Sequence, residues 1–214
     1  MSRVATVVFV TGLVWQAAAA DVELDRRALE EALAIGQSRI EGVRTRFHEP
    51  YRVTVGAPPV DYLDVVTPFR AVVLAAQARA RAGDRQFGLR QARETYAQTS
   101  DETVVYIELT FHPQNTFIGI PDYGITLEGG SATFEPVSIG RIPRFGPRVG
   151  GYPFPSTSLD GAVVLPGGSQ PLTGGTLVYR LPVARMDPQG RYDLVVLDRA
   201  RQLARVSLDL GRLR

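Results

Sequence analysis

The chain contains no cysteine and no lysine among its 214 residues, and only two histidines. The absence of cysteine excludes disulfides, thiol nucleophiles, iron–sulfur clusters and zinc sites with cysteine ligands. The absence of lysine excludes the phosphate-binding P-loop motif, which requires that residue. All 24 basic residues are therefore arginine, and against 22 acidic residues they leave a net charge of +2. A domain that holds a nucleic-acid backbone usually has a much larger basic excess, so no nucleic-acid partner is expected.

The N-terminus has the pattern of a secretory signal peptide. Arg3 supplies a positive charge, residues 4–15 are almost entirely apolar, and the small residues Ala18 and Ala20 precede an acidic residue. Signal peptidase requires small side chains at these two positions, so residues 1–20 are predicted to be removed by cleavage after Ala20. We therefore expect a periplasmic or secreted protein. The stretch is shorter than the ~20 apolar residues of a bilayer span, so no membrane span is expected after cleavage.

Residues 21–100 are predicted to form an α-helical region with one short extended arm. Apolar residues repeat at helical spacing over residues 24–47, which predicts a single long helix that ends before Pro50. The alternating residues 51–55 predict the extended arm. Thr67 followed by proline predicts the start of a second helix, because threonine is a good N-cap and proline fits the first helical position.

Residues 101–214 have the pattern of β-strands, since apolar and polar residues alternate and glycine and proline separate the runs. Seven short strands in ~110 residues predict an antiparallel β-sandwich. The expected fold class is therefore α+β, with the helical region packed against this sandwich. The predicted strands are 103–111, 123–127, 133–139, 161–165, 176–183, 192–198 and 204–210.

One short run resembles a known family. The sequence MDPQGRYDLVVL places Asp187, Pro188 and Gly190 immediately before Tyr192, at the start of a predicted strand. This turn and tyrosine resemble the entry to a late strand in immunoglobulin-like sandwiches, and are similar to those of accessory domains in bacterial exported proteins. The resemblance implies an immunoglobulin-like fold and a buried tyrosine whose hydroxyl bonds back to the preceding corner. The spacing differs from the antibody pattern by one residue, no cysteine follows, and no activity is implied.

The most suggestive candidate site is a segment rich in proline, glycine, arginine and aromatic residues. Residues 136–175 contain 7 prolines and 9 glycines, which predicts little regular structure. Arginine and aromatic side chains are favoured at protein interfaces. We therefore expect a non-enzymatic interaction module, without a cofactor, that binds a protein or an envelope component. The predicted partner-binding residues are Arg141, Arg144, Phe145, Arg148 and Tyr152.

The two histidines lie in similar settings, FHEP and FHPQ, and support an alternative. His48 and His112 with Glu49 or Glu108 could hold a divalent metal and make the protein a hydrolase. The spacing is not that of the HExxH motif, because Pro50 interrupts it. The phenylalanine before each histidine takes the apolar position, so both imidazoles are predicted to face solvent or to lie at the rim of the apolar surface. A third hypothesis is a chaperone-like protein whose helices offer an apolar groove.

Overall fold

The computed structural model describes residues 24–84, 86–130, 132–146, 170–183 and 186–213. These residues form helices and antiparallel strands, so the fold is α+β, and the strand predicted at 161–165 lies outside them. The helices are α1 (Arg26–Gly36), α2 (Glu41–His48), α3 (Pro68–Arg81) and α4 (Leu89–Thr99). The strands are β1 (Arg52–Ala57), β2 (Val60–Val66), β3 (Glu102–Thr110), β4 (Tyr123–Gly129), β5 (Ala132–Phe134), β6 (Ser138–Phe145), β7 (Leu172–Pro182), β8 (Arg191–Asp198) and β9 (Arg201–Asp209).

Helix α3 begins and ends as its sequence predicts. The Thr67 hydroxyl accepts a hydrogen bond from the Arg70 amide at 3.3 Å, and Pro68 occupies the first helical position. Gly83, just beyond the helix, has a φ of 78°, a conformation that glycine adopts without strain. The cap and the glycine therefore fix the two ends of this helix.

The prediction of one long helix over residues 24–47 is wrong, because the chain leaves the helical conformation after Gly36. Gly36 lies against α3 so closely that a Cβ atom there would be 2.5 Å from the Val73 carbonyl oxygen. The Ser38 hydroxyl then accepts a hydrogen bond from the Ile40 amide at 3.2 Å, which offers the backbone a partner outside the helix. As a result the apolar stripe predicted over residues 24–47 is interrupted, and Val43, one of its apolar residues, is exposed.

The strands form two antiparallel sheets. The first has the strand order β1-β2-β3-β7-β6 and the second has the order β5-β4-β8-β9. The predicted extended arm is β1, and β2 is a further strand that the sequence analysis missed. Both strands pair into the same sheet as β3, so residues from the predicted helical region complete a sheet whose other strands come from residues 101–214.

The apolar residues form two separate clusters. Both sheets contribute to the larger cluster, in which Ile107 and Leu177 come from the first sheet and Leu127 and Leu194 from the second. The smaller cluster belongs to the helices and is centred on α1 and α3. No helix within the described ranges combines the length and the apolar character needed to cross a lipid bilayer.

Tyr192 confirms the hydrogen bond that the resemblance implies. Its hydroxyl accepts a hydrogen bond from the Asp187 amide at 2.6 Å, which ties the start of β8 to the preceding corner. Its ring contacts the ring of Phe134 edge-on, with the centroids 5.8 Å apart. Gly129 and Gly190 leave room for the ring, since a Cβ atom at either position would lie within 2.6 Å of it. The tyrosine thus joins β4, β5 and β8.

Candidate interaction surface

The first half of the predicted binding segment is an edge strand. Residues 138–145 form β6, so the prediction of little regular structure is wrong for this part of the segment. All eight residues of β6 are exposed, and among the strands that the structure describes β7 is its one neighbour. Proline has no N–H to donate, and on an edge strand this side of the backbone can face solvent instead of a neighbouring strand. Pro143 is therefore compatible with this position. Arg148 and Tyr152, the other predicted binding residues, lie outside the described residues.

Arg144 is held in place by contacts that cross the sheet to β3. Its guanidinium forms an ion pair with Glu108 and donates to the Leu109 carbonyl oxygen at 2.9 Å. The other Glu108 oxygen accepts a hydrogen bond from the Thr176 hydroxyl at 2.8 Å. Gly174 of β7 makes this path possible, because a Cβ atom there would overlap the guanidinium and the Leu109 oxygen. Arg144 therefore presents a fixed side chain whose charge is already paired.

Arg141 is held in a similar way by the loop between β3 and β4. It forms an ion pair with Asp122, a residue whose side chain is almost fully exposed. The same loop contacts the sheet through Asn115, whose side-chain amide donates to the Leu172 carbonyl oxygen at 3.0 Å. Leu172 is opposite Phe145 in the β6–β7 ladder, so the loop and the end of β6 are neighbours.

Large apolar side chains are exposed on β6 and on this neighbouring loop. Phe145 is 48% exposed, and Phe117 of the loop is 42% exposed while its ring contacts the buried ring of Phe111. We call this region the β6 surface. It consists of Phe117, Ile118, Val137, Ile139, Arg141, Ile142, Arg144 and Phe145.

His48 lies half-buried between α2 and α3, at the rim rather than in full contact with solvent. Its Nδ1 atom is 3.2 Å from the Arg70 Nε atom, and its Nε2 atom is 3.0 Å from the Gln77 side-chain oxygen. Because the Arg70 Nε–H can only donate, Nδ1 accepts, and Nε2 donates to Gln77. Burial lowers the pKa of His48, the hydrogen bond to Gln77 opposes this shift, and the Arg70 charge adds to it. Both hydrogen bonds therefore fit a neutral imidazole that carries its proton on Nε2.

The remaining residues of the metal alternative are not gathered around His48. His112 is exposed, and its Nδ1 atom accepts a hydrogen bond from the Gln114 amide at 3.2 Å. Glu49 is exposed beyond the end of α2, and Glu108 is engaged by Arg144. Over the described ranges, no group of three or more histidine, aspartate or glutamate side chains is arranged to hold a metal ion.

A polar network joins the helices to the first sheet, and it was not predicted from the sequence. Arg70 is 4% exposed, forms an ion pair with Asp64 of β2 and donates to the Val65 carbonyl oxygen at 2.6 Å. Its guanidinium also lies over the ring of the buried Tyr51, 4.7 Å from the centroid. The sequence offered one signal for this network, which is that an arginine directly follows the apolar Phe69 within a helix. The guanidinium thus connects α3 with β2 through Asp64 and Val65, and with α2 through His48.

Comparison with known proteins provides no family for the chain. No protein-family model, curated protein or solved structure matches it.

Proposed function

We propose that this chain is an exported, non-enzymatic interaction module that binds a protein or an envelope component through the β6 surface. The exposed apolar side chains of that surface are the observation that carries the proposal. Large exposed apolar residues beside ordered arginines are typical of a binding surface. Arg141 and Arg144 lose little conformational entropy on binding, because their ion pairs already restrict them.

We further infer that the two sheets form an immunoglobulin-like sandwich. In that fold, strands A, B, E and D form one sheet and C, F and G the other, with C′ added beside C in some members. The orders β2-β3-β7-β6 and β5-β4-β8-β9 correspond to A-B-E-D and C′-C-F-G. Tyr192 then lies at the start of strand F, where the family has its corner tyrosine. The shared apolar cluster supports face-to-face packing, and β6 corresponds to strand D.

The exported location rests on the N-terminal pattern, which lies outside the described residues. Arg3, the apolar residues 4–15 and the small residues before position 21 support cleavage after Ala20. N-terminal sequencing of the protein purified from the periplasm or the medium tests this directly. A mature chain that begins at Asp21 is expected, and an intact chain confined to the cytoplasm would contradict it.

Recognition by side chains is favoured over the addition of a long partner strand. A partner strand needs regularly spaced N–H and C=O groups along the free edge, and Pro143 removes one donor from the middle of β6. Proline and charged residues on an edge also oppose self-association of the sheet. The surface is therefore suited to a partner that covers Ile142, Phe145 and Ile118.

Site-specific crosslinking tests the proposal. A photoreactive amino acid placed at Phe145 or at Ile118 is expected to capture the same partner from an envelope fraction, because the two positions belong to one surface. Thr133 of β5, exposed on the other sheet, is the control position. The double variant Ile142→Ser/Phe145→Ser should reduce capture from Ile118 at least tenfold. Equal capture from Thr133, or no effect of the double variant, would rule out the β6 surface.

A further inference from the structure

A small pocket lies where the helices meet the end of the two sheets. Its volume is about 120 Å³. Residues of the helical cluster and residues of the sheet cluster face each other across it, so both parts of the fold are needed to form it. The apolar lining comes mainly from Phe69, Tyr96, Val183, Met186, Leu210 and Leu213.

One polar side chain in the lining lacks a partner. Thr103 continues the core-facing row of β3 that includes Val105 and Ile107, and it is only 6% exposed. Among the described residues, no side-chain or backbone group is hydrogen-bonded to its hydroxyl, although every completely enclosed polar side-chain atom there has a partner. The Thr103 hydroxyl is therefore open to a molecule in the pocket.

Three other residues of the lining carry a hydroxyl, Thr67, Tyr96 and Ser100, and each already has an interaction partner. The Ser100 hydroxyl is 3.2 Å from a carboxylate oxygen of Asp101, and the Thr67 hydroxyl caps α3. A buried water usually needs two to four polar partners, which this lining does not readily offer. A hydroxyl left without a partner in an apolar site is destabilising. The lining thus favours a guest that is apolar except for one hydrogen-bonding group.

The volume limits the size of that guest. An engineered apolar cavity of ~150 Å³ in another protein binds benzene, so a pocket slightly smaller than this accommodates about one ring. We propose that the pocket binds a small molecule with a single ring or an equally compact apolar group, and that Thr103 hydrogen-bonds to its one hydroxyl or carbonyl. This site is independent of the β6 surface.

Titration of the full-length protein with phenol tests this site. Phenol is expected to bind saturably and to shift the NMR signals of Thr103 and Met186, whereas glycerol, which has hydroxyls but no apolar ring, should not. In the variant Thr103→Val, which keeps the shape of the side chain, phenol should bind about fivefold more weakly because one hydrogen bond is lost. Toluene, which has no hydroxyl, should bind both proteins equally. Thr133→Val is the matched control and should leave phenol binding unchanged.

A second variant separates the pocket from the hydroxyl. Leu213→Trp, near the end of the described chain, should fill the pocket and reduce binding of both phenol and toluene at least tenfold. The proposal is overturned by non-saturable binding, by shifts confined to other surfaces, or by equal phenol affinity in wild type and Thr103→Val. Failure of all probes to bind would also overturn it, and would indicate that the pocket holds water only.

Discussion

Arg70 and Arg144 both form ion pairs with strands of the first sheet, but the first pair is buried and the second is partly exposed. The Arg70 side chain is 5% exposed and is paired with Asp64, whereas the Arg144 side chain is 46% exposed and is paired with Glu108. Each also donates to a backbone carbonyl oxygen of the strand that carries its ion-pair partner. When one member of an exposed ion pair is removed, water solvates the other member and little stability is lost. When one member of a buried pair is removed, the other charge remains buried without compensation and the loss is large. The comparison teaches that burial, more than the number of contacts, decides what each arginine contributes.

The largest expected effect is that of Arg70→Met. This variant keeps apolar volume but leaves Asp64, the Val65 carbonyl oxygen and His48 without the guanidinium. We expect the free energy of unfolding to fall by about 3 kcal/mol, at the lower end for a broken buried pair because Asp64 also contacts Arg52 at 3.3 Å. Urea denaturation followed by circular dichroism measures the change.

Arg79→Met is the matched control for this variant. Arg79 lies on the same helix, but its side chain is 62% exposed and is 3.7 Å from its partner Asp84. We expect a change below about 0.5 kcal/mol. Equal losses for Arg70→Met and Arg79→Met would show that the buried network does not stabilise the junction.

Gly174→Ala is expected to have the next largest effect. The added methyl group would overlap the Leu109 carbonyl oxygen and the Arg144 guanidinium, so the strands must shift. Overpacking of this kind costs about 2 kcal/mol. The double variant Gly174→Ala/Arg144→Met should recover little of the loss, because the backbone contact with Leu109 remains. Full recovery would place the strain on the side chain alone, and thermal unfolding of the three variants distinguishes these outcomes.

The pH dependence of stability tests the neutral state of His48 in the Arg70 network. Its pKa is lowered in the folded protein, mainly by burial, so below about pH 6.5 the unfolded chain takes up a proton more readily than the folded one. The contribution of His48 is thus complete above that pH and is lost as the pH falls through the folded-state pKa. Gln77, Arg70, Asp64 and Arg52 are the groups that set this shift.

Urea denaturation between pH 7 and pH 5 measures this dependence. The wild type should lose stability over this range, and His48→Gln should lose less, because glutamine retains hydrogen-bonding groups but does not titrate. An identical slope in both proteins would show that His48 does not contribute to it.

Apart from the control Arg79→Met, Arg144→Met is expected to have the smallest effect on stability. Its pair with Glu108 is half-exposed and screened by solvent, so we expect a change below about 1 kcal/mol. Added salt should reduce the difference between the variant and the wild type. A loss as large as that of Arg70→Met would contradict the conclusion drawn from burial.

Features that depend on neighbouring residues could be predicted from the sequence. The start of α3 at Thr67 and the bond from the Tyr192 hydroxyl to its corner are both confirmed, because each involves residues within five positions. Strand β2 was missed because its pairing with β3 shifts between Val60 and Tyr62. This irregularity places Val60, Leu63 and Val65 in the core at unequal spacing, which hides the alternation.

The candidate site depends on contacts between distant residues, and these could not be predicted. Arg144 was identified from composition, but its partner Glu108 is 36 positions away and is reached across an intervening strand. The burial of His48 follows from the end of α1 at Gly36, which in turn depends on the close contact with α3. The spacing of apolar residues along one segment indicates neither the contact of Arg144 with Glu108 nor the burial of His48.

The separation of the two apolar clusters has a mechanical consequence. Apolar contacts tolerate sliding, whereas the hydrogen bonds around Arg70 are directional and lengthen at once when α3 moves away from β2. Next to these hydrogen bonds lies the pocket, where apolar contacts that would otherwise resist part of the force are missing. A pulling force applied between the helices and the sheets would therefore open the molecule at this boundary, while each cluster kept its own packing.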